Sequence, residues 1–297
     1  MNADGIKWLT RRQGLRGLAA LGGAALGSAW AQVRPEALAG RRIVSLSGAL
    51  TEIVYLLEAQ AMLVGTDTTS LFPEAAQKTP KVGYVRQLSA EGLLSLRPDA
   101  VIGTTEAGPQ VVLDQIRQAG VRVSLIAAEH NWAEVLAKVQ LVGRETGRVA
   151  QAQKLQQQLE AEWHGVRRQV ARAARKPRAL FILSHGGSPM AAGQGTAANA
   201  LLEYAGLGNA IHEFKGYRAL TAEAMASAAP EIIVNTSQGI AALGGEAAFW
   251  QRPELALTPA FARKALVTLE ASWLLGFGPR LPAAVRALHE RSQEWVA

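Results

Sequence analysis

Short apolar runs alternate with segments of helical spacing along the first half of the chain. The runs are mostly rich in Val, Ile and Leu, and the segments between them carry apolar residues three and four positions apart. This alternation is typical of an α/β layer built on a parallel sheet. The predicted strands lie at 42–46, 64–67, 100–102 and 121–125, and the clearest helices lie at 47–57 and 110–118.

A long helical pattern separates this half from a second α/β segment. The stretch 148–172 is dense in Gln, Ala, Leu, Arg and Glu, with apolar residues at helical spacing. At ~1.5 Å per residue such a helix spans close to ~40 Å, which is enough to bridge two lobes. A surface helix or a coiled-coil segment is the alternative, but no sustained heptad supports the coiled coil. The second segment has strands at 179–183, 232–235 and 265–269 and helices at 199–205 and 282–296.

One unit of the pattern occurs twice. The sequence LSAEGLLSLRPD, which begins at Leu88, recurs as LTAEAMASAAPE at an offset of 132 residues. Ser89 and Thr221 are good helix N-caps, and Glu91 and Glu223 place a carboxylate where the helix dipole favours it. From spacing alone, both glutamates are helix-start charges. The duplication predicts two similar lobes.

A Gly-Tyr pair precedes each copy of this unit. Tyr84 and Arg86 follow Gly83, and Tyr217 and Arg218 follow Gly216, so a phenol and a guanidinium occur together in each predicted loop. Binding residues concentrate in such loops, although a turn tyrosine is also a common packing residue. A phenolate is a hard ligand that suits ferric iron, including haem iron. Free tyrosine titrates near ~10, so the phenolate form needs a metal or a neighbouring cation.

The first 31 residues have the pattern of an export signal. A basic segment with Arg11 and Arg12 precedes an uncharged, glycine-rich run and the A-x-A site at 29–31. The paired arginines resemble a twin-arginine signal, but Gly14 stands where a large apolar residue is usual, so the Tat and Sec routes both stay open. A membrane span is disfavoured because the run is shorter than the ~20 apolar residues a bilayer needs.

Composition narrows the function of the remaining chain. Removing 1–31 lowers the formal net charge from +7 to +4, and there is no basic stripe with interleaved aromatics, so nucleic acid is not an expected partner. The absence of cysteine excludes disulfides, thiolate catalysis and covalent haem attachment. The segment SHGG at 184–187 is similar to a hydrolase oxyanion motif, but no G-x-S-x-G elbow accompanies it. A secreted hydrolase is therefore a weak alternative, and we expect no enzyme.

Three segments carry a resemblance to a known family: VGYVRQLSAEGLLSLRPDAVI at 82–102, SHGGSPMAAGQGTAANALLEYAG at 184–206 and FKGYRALTAEA at 214–224. With their flanks they resemble the periplasmic haem-binding proteins of bacterial haem ABC importers, over about 40–297. The wider family includes the binding proteins for vitamin B12 and ferric siderophores. The resemblance implies class III architecture, in which two α/β lobes joined by one long helix hold the ligand in a cleft between them.

The resemblance also implies roles for individual residues. Tyr84 is the expected ligand to ferric haem b, carried as cargo, and Arg86 contacts that tyrosine. His185 is the candidate second ligand, because some relatives add a histidine from the opposite lobe, and Tyr217 is the competing candidate. Arg218, beside Tyr217, is expected to contact the haem. In the family, one acidic residue on each lobe docks onto the inner-membrane permease dimer, which works with an ATPase. The positions that match the family's motif here are Glu91 and Glu223, and the resemblance implies the docking role for both.

Together these observations predict a monomeric periplasmic protein with five segments. They are a signal peptide at 1–31, a linker at 32–39, an N-terminal lobe at 40–146, an inter-lobe helix at 147–175 and a C-terminal lobe at 176–297. The residues alone leave the cargo open, because a phenol and a guanidinium also suit a ferric siderophore or another anionic chelate. Cobalamin is the further alternative that the wider family offers.

Overall fold

The structure is a computed structural model that describes residues 40–184 and 189–295. The predicted signal peptide and linker lie outside the described residues. The first described part is an α/β layer whose four strands are parallel and lie in the order β2-β1-β3-β4. Its elements are β1 (Ile43–Ser45), α1 (Gly48–Leu56), β2 (Leu63–Thr66), α2 (Ala90–Ser95), β3 (Ala100–Thr104), α3 (Gln110–Gln118) and β4 (Arg122–Ile126).

Helices cover both faces of this N-terminal sheet, which is why its central strands are continuously apolar. Ile43 and Ile102 pack on one face with α1, whereas Val44 and Val101 pack on the other face with α2 and α3. All residues of β1 and β3 are buried. The carboxyl ends of these strands therefore open onto loops that are free to carry a site.

Two helices connect this lobe to the next. They are α4 (Trp132–Thr146) and α5 (Val149–Val170), separated where Gly147 adopts a left-handed conformation with φ 70°. The 22 residues of α5 span about 33 Å. Ala152 and Leu159 in its first part belong to the N-terminal core, whereas Trp163 and Val166 belong to the C-terminal core. The helix α5 is thus the bridging helix that the sequence predicted near 148–172.

The second lobe contains a mixed sheet in the order β10-β9-β5-β6-β8, with β7 also paired to β5. Strands β5, β9 and β10 are parallel, and β6 and β8 extend the sheet by antiparallel pairing. Its elements are β5 (Arg178–Leu183), β6 (Met190–Ala192), α6 (Ala197–Tyr204), β7 (Gly208–Asn209), β8 (Tyr217–Ala219), α7 (Ala222–Ala228), β9 (Ile232–Thr236), α8 (Ser237–Ala242), α9 (Glu246–Trp250), α10 (Pro259–Arg263), β10 (Leu266–Leu269), α11 (Ala271–Leu275) and α12 (Leu281–Gln293).

The duplicated unit folds as predicted in both lobes. Ser89 accepts a hydrogen bond from the amide of Gly92 at 3.4 Å, and Thr221 accepts one from Ala224 at 3.1 Å. The short helices α2 and α7 follow these caps, and each leads into a buried five-residue strand, β3 or β9. The lobes differ beside the second unit, because Tyr217 begins the strand β8 and does not lie in the predicted loop.

The two lobes also contact each other away from α5. Lys138 of α4 is 2% exposed and donates to the Phe277 carbonyl of the second lobe at 2.9 Å, while its ammonium pairs with Glu134 at 2.6 Å. Arg280 at the start of α12 approaches the Glu52 carboxylate of α1 to 2.9 Å. The observed architecture of two α/β lobes and a bridging helix confirms the predicted fold class. Among the residues described here, no helix combines the length and apolarity that a membrane span requires.

Candidate functional site

Tyr84 lies in a tight loop held by backbone hydrogen bonds from two sides. The amide of Thr68 donates to the Gly83 carbonyl at 3.0 Å, and the amide of Gln87 closes a turn onto the Tyr84 carbonyl at 2.8 Å. Gly83 adopts φ 101°, a conformation that side chains rarely tolerate, so a glycine is required before the tyrosine. Tyr84 is 40% exposed, which leaves its phenol accessible.

Arg86 contacts the phenol directly. Its Nη1 donates to the Tyr84 hydroxyl at 3.1 Å, and its Nη2 forms an ion pair with Glu106. Burial lowers the pKa of the Arg86 guanidinium, but the Glu106 carboxylate and the Tyr84 phenol raise it by more, so the net shift is upward. Arg86 therefore stays cationic and places its charge beside the phenol oxygen.

Glu106 is a site residue that the sequence analysis missed. It follows the buried strand β3 at its carboxyl end, which is where α/β sheets present binding residues. That position was the available signal, but no motif marks this glutamate. Its pairing with Arg86 becomes visible only when the Tyr84 loop and the turn after β3 are placed side by side.

Tyr217 of the C-terminal lobe lies within electrostatic reach of this cluster. Burial, the largest cause, raises the pKa of Tyr217 above its ordinary value. The Thr196 side chain lowers that pKa, Glu106 raises it and Arg86 lowers it, so charges of the N-terminal lobe act on a phenol of the other lobe. Of the two phenols, Tyr84 is the more exposed and Tyr217 is half-buried.

Arg218 does not join this group. Successive side chains of a strand point to opposite faces, so Arg218 is directed away from the face that Tyr217 occupies. Its guanidinium lies 4.7 Å from the ring centroid of Phe214 and the residue is exposed. The predicted contact of Arg218 with the haem stays a prediction.

His185, the other predicted second ligand, lies outside the described residues, which stop at Ser184 and resume at Pro189. β5 ends at Leu183, and the buried Ser184 hydroxyl accepts a hydrogen bond from the side-chain amide of Asn235 at 3.2 Å. Within the described ranges no group of three or more His, Cys, Asp or Glu side chains is arranged to hold a metal ion.

Glu91 and Glu223 occupy equivalent positions in the two lobes. Each lies in the first turn of a short helix, α2 or α7, one residue after the helix begins. Both are exposed, and neither forms an ion pair with another described residue. Their carboxylates are therefore available to a partner as well as to the dipole of their own helix.

Known proteins of the same fold include binding proteins of transporters. A family model described as periplasmic binding protein matches residues 43–272. The chain is similar to the crystallised periplasmic haem-binding protein BhuT in complex with two haems, at 42% identity and a TM-score of 0.82, over 86% of this chain and 99% of that one. It is also similar to the haem-binding protein RhuT from Roseiflexus sp. RS-1 in apo form, at 33% identity and a TM-score of 0.81, over 86% and 100% of the two chains.

Curated relatives are more distant. The vitamin B12-binding protein of Yersinia pestis (strain Pestoides F) is 24% identical over 254 residues, which is 85% of this chain and 86% of that protein. The uncharacterized ABC transporter substrate-binding lipoprotein YvrC of Bacillus subtilis (strain 168) is 25% identical over 200 residues. That match covers 66% of this chain and 63% of the relative's own length, which is less than two thirds of it.

Proposed function

Because this chain belongs to the periplasmic binding protein family, we propose that it is the substrate-binding component of an ABC importer and that it carries ferric haem. The observation that carries the proposal is an exposed phenol, Tyr84, with a guanidinium nitrogen of Arg86 3.1 Å from its oxygen. The 42% identity to a haem-binding protein over nearly the whole of that relative supports the same cargo. The protein acts by binding and release, without catalysis.

In this proposal the phenolate of Tyr84 is the axial ligand of haem b. A hard anionic oxygen suits Fe(III), and a tyrosinate is an established haem ligand. Arg86 donates a charge-assisted hydrogen bond to that oxygen, which favours the ionised phenol over the neutral one. The porphyrin would lie in the cleft between the lobes, where apolar surface from both sides can cover its faces.

The opposite face of the iron has two candidate ligands. Tyr217 is the candidate that lies among the described residues. Burial raises the pKa of its phenol, so Tyr217 would lose its proton only when the phenol oxygen binds the iron. His185 comes two positions after the last residue of β5 in the sequence, and a neutral imidazole binds a metal without losing a proton. A six-coordinate spectrum that becomes five-coordinate in His185→Ala would assign the second ligand to histidine, whereas the same change in Tyr217→Phe would assign it to tyrosine.

The partner we propose is the permease dimer of the inner membrane with its ATPase. Two exposed carboxylates, Glu91 and Glu223, lie at equivalent places on the two lobes, and such a pair suits a partner made of two similar subunits. Exposed ion pairs contribute only about 0.2–1 kcal/mol each, which fits a complex that must dissociate after delivery. The binding protein itself would act as a monomer in the periplasm after signal-peptide removal.

Competition for the cleft tests the cargo. The mature protein, from residue 32, is titrated with hemin, cobalamin and a ferric siderophore, and binding is followed by tryptophan quenching and by the haem Soret band. We expect hemin to bind most tightly and to resist displacement by the other two. Preferential binding of cobalamin or of the siderophore would refute the haem proposal. We expect one haem to bind per protein molecule. Because the relative BhuT is in complex with two haems, the titration also shows whether a second equivalent binds.

A further inference from the structure

The Arg86–Glu106 pair lies at the centre of the proposed site, yet only one of its two members contacts the phenol. Resting on the proposed function, we infer that Glu106 is a positioning residue that holds the guanidinium of Arg86 in the orientation needed to donate to Tyr84. The two contacts use different nitrogens: Nη1 of Arg86 donates to the phenol and Nη2 pairs with the carboxylate. Because the guanidinium is a rigid planar fork, fixing one nitrogen also fixes the direction of the other.

The backbone places Glu106 for this task. The turn that carries it closes with the amide of Ala107 donating to the Thr104 carbonyl at 3.0 Å, directly after β3. The same turn is joined to the Tyr84 loop, since the Gly108 amide donates to the Val85 carbonyl at 2.9 Å and the Leu88 amide donates back to the Gly108 carbonyl at 3.0 Å. Carboxylate, guanidinium and phenol are therefore held on two loops that are hydrogen-bonded to each other.

Arg86 needs such a partner because its own surroundings restrain it little. Its side chain is 55% exposed and that of Glu106 is 39% exposed. A long side chain with this exposure populates several rotamers, and an orientation suited to one hydrogen bond carries an entropic cost. Because the Glu106 carboxylate already fixes the guanidinium, less side-chain entropy of Arg86 is lost when a ligand binds.

The two effects of Glu106 on the Tyr84 phenolate oppose each other: its negative charge disfavours the phenolate, whereas its orientation of Arg86 favours it. A carboxylate near the developing phenolate disfavours that phenolate, while an acceptor of the same shape orients Arg86 without a charge. Glu106→Gln keeps an oxygen acceptor and removes the charge, and Glu106→Ala removes both. Comparing the two variants therefore separates the positioning role from an electrostatic one.

The test is a double-mutant cycle on hemin affinity with the mature protein. We expect Glu106→Ala to weaken binding roughly two- to fivefold, the range of an exposed ion pair, and Glu106→Gln to recover most of that loss. In an Arg86→Ala background, Glu106→Ala should cause no further loss of affinity. Asp114→Ala, which removes the exposed partner of Arg117 on α3, is the matched control and should leave affinity unchanged.

Two outcomes would overturn the inference. One is an equal loss from Glu106→Ala with and without Arg86, and the other is a Glu106→Gln protein that binds hemin as weakly as Glu106→Ala. A measurement without ligand keeps the inference separate from the proposed cargo: the Nε–H signal of Arg86 in the ligand-free protein should show a lower NMR order parameter in Glu106→Ala. If the order parameter is unchanged in Glu106→Ala, the positioning role is contradicted, whether or not the protein binds hemin. If the order parameter falls but the natural protein does not bind hemin, only the proposed function is contradicted.

Discussion

Replacing Lys138 with Met tests the polar contact between the two lobes. Lys138 is 2% exposed and its ammonium pairs with the equally buried Glu134 at 2.6 Å. It also donates to the carbonyls of Phe277 at 2.9 Å and Gly276 at 3.3 Å, both in the C-terminal lobe. The substitution therefore leaves a buried carboxylate without its cation and two carbonyls of the other lobe without this donor.

The expected loss in the free energy of unfolding follows from the contacts that Lys138→Met removes. Removing one partner of a buried pair costs about 3–5 kcal/mol, because the remaining charge stays buried. Two backbone amides still donate to Glu134, from Glu129 at 2.9 Å and from His130 at 2.7 Å, so we expect the lower part of this range. For a domain of this size, a loss of about 3–4 kcal/mol lowers the melting temperature by roughly 6–16 °C.

Chemical and thermal unfolding of the mature protein measure this cost. Lys154→Met removes an exposed lysine from α5 and is the matched control, expected to change the free energy of unfolding by no more than about 0.5 kcal/mol. The double variant Lys138→Met/Glu134→Gln should regain part of the loss, because no unpaired charge remains buried. A Lys138→Met protein within about 1 kcal/mol of the natural one would refute the reasoning.

Two further predictions concern docking and pH. Reversing both rim charges with Glu91→Lys and Glu223→Lys should leave hemin binding intact while abolishing haem-dependent ATPase stimulation in a reconstituted transporter. Reversal of the exposed Glu160 on α5 is the control, and stimulation that survives the double reversal would contradict the docking role. Burial raises the pKa of Glu52 more than Arg280 lowers it, so the stabilising contribution of this group is full below its unfolded pKa and is lost as pH rises through the folded pKa. The unfolding free energy of the natural protein relative to Glu52→Gln should therefore fall from about pH 4 toward neutral in urea titrations, and a difference that grows with pH would contradict this assignment.

The parts of the fold that sequence predicts well are those set by local signals. The capped helices that begin after Ser89 and Thr221 are marked by hydroxyl caps and a following proline, and the strands β3 and β9 by unbroken apolar runs. Strands β6 and β8 carry no such signal. They are three residues each and exist because they pair antiparallel with a neighbour, so Tyr217 was expected in a loop.

The same distinction applies to the site. The phenol and guanidinium of Tyr84 and Arg86 are two positions apart, so their contact follows from a short motif. The partners Glu106 and Tyr217 depend on how separate loops and lobes come together, which a single sequence does not specify. The contact of Lys138 with Phe277 is of the same kind, because 139 positions separate the donor from its acceptor.

The central claim is that Tyr84 holds ferric haem. The absorbance spectrum of the Tyr84→Phe variant with hemin tests this claim most directly. Tyr84→Phe keeps the ring and removes only the phenol oxygen, and Tyr55→Phe on α1 is the matched control. We predict that Tyr84→Phe loses the tyrosinate charge-transfer band, shifts the Soret band and weakens hemin binding by more than the roughly 10- to 100-fold typical of losing a supporting partner of a ligand. Tyr55→Phe should match the natural protein in both respects. An unchanged spectrum and affinity in Tyr84→Phe would contradict the account.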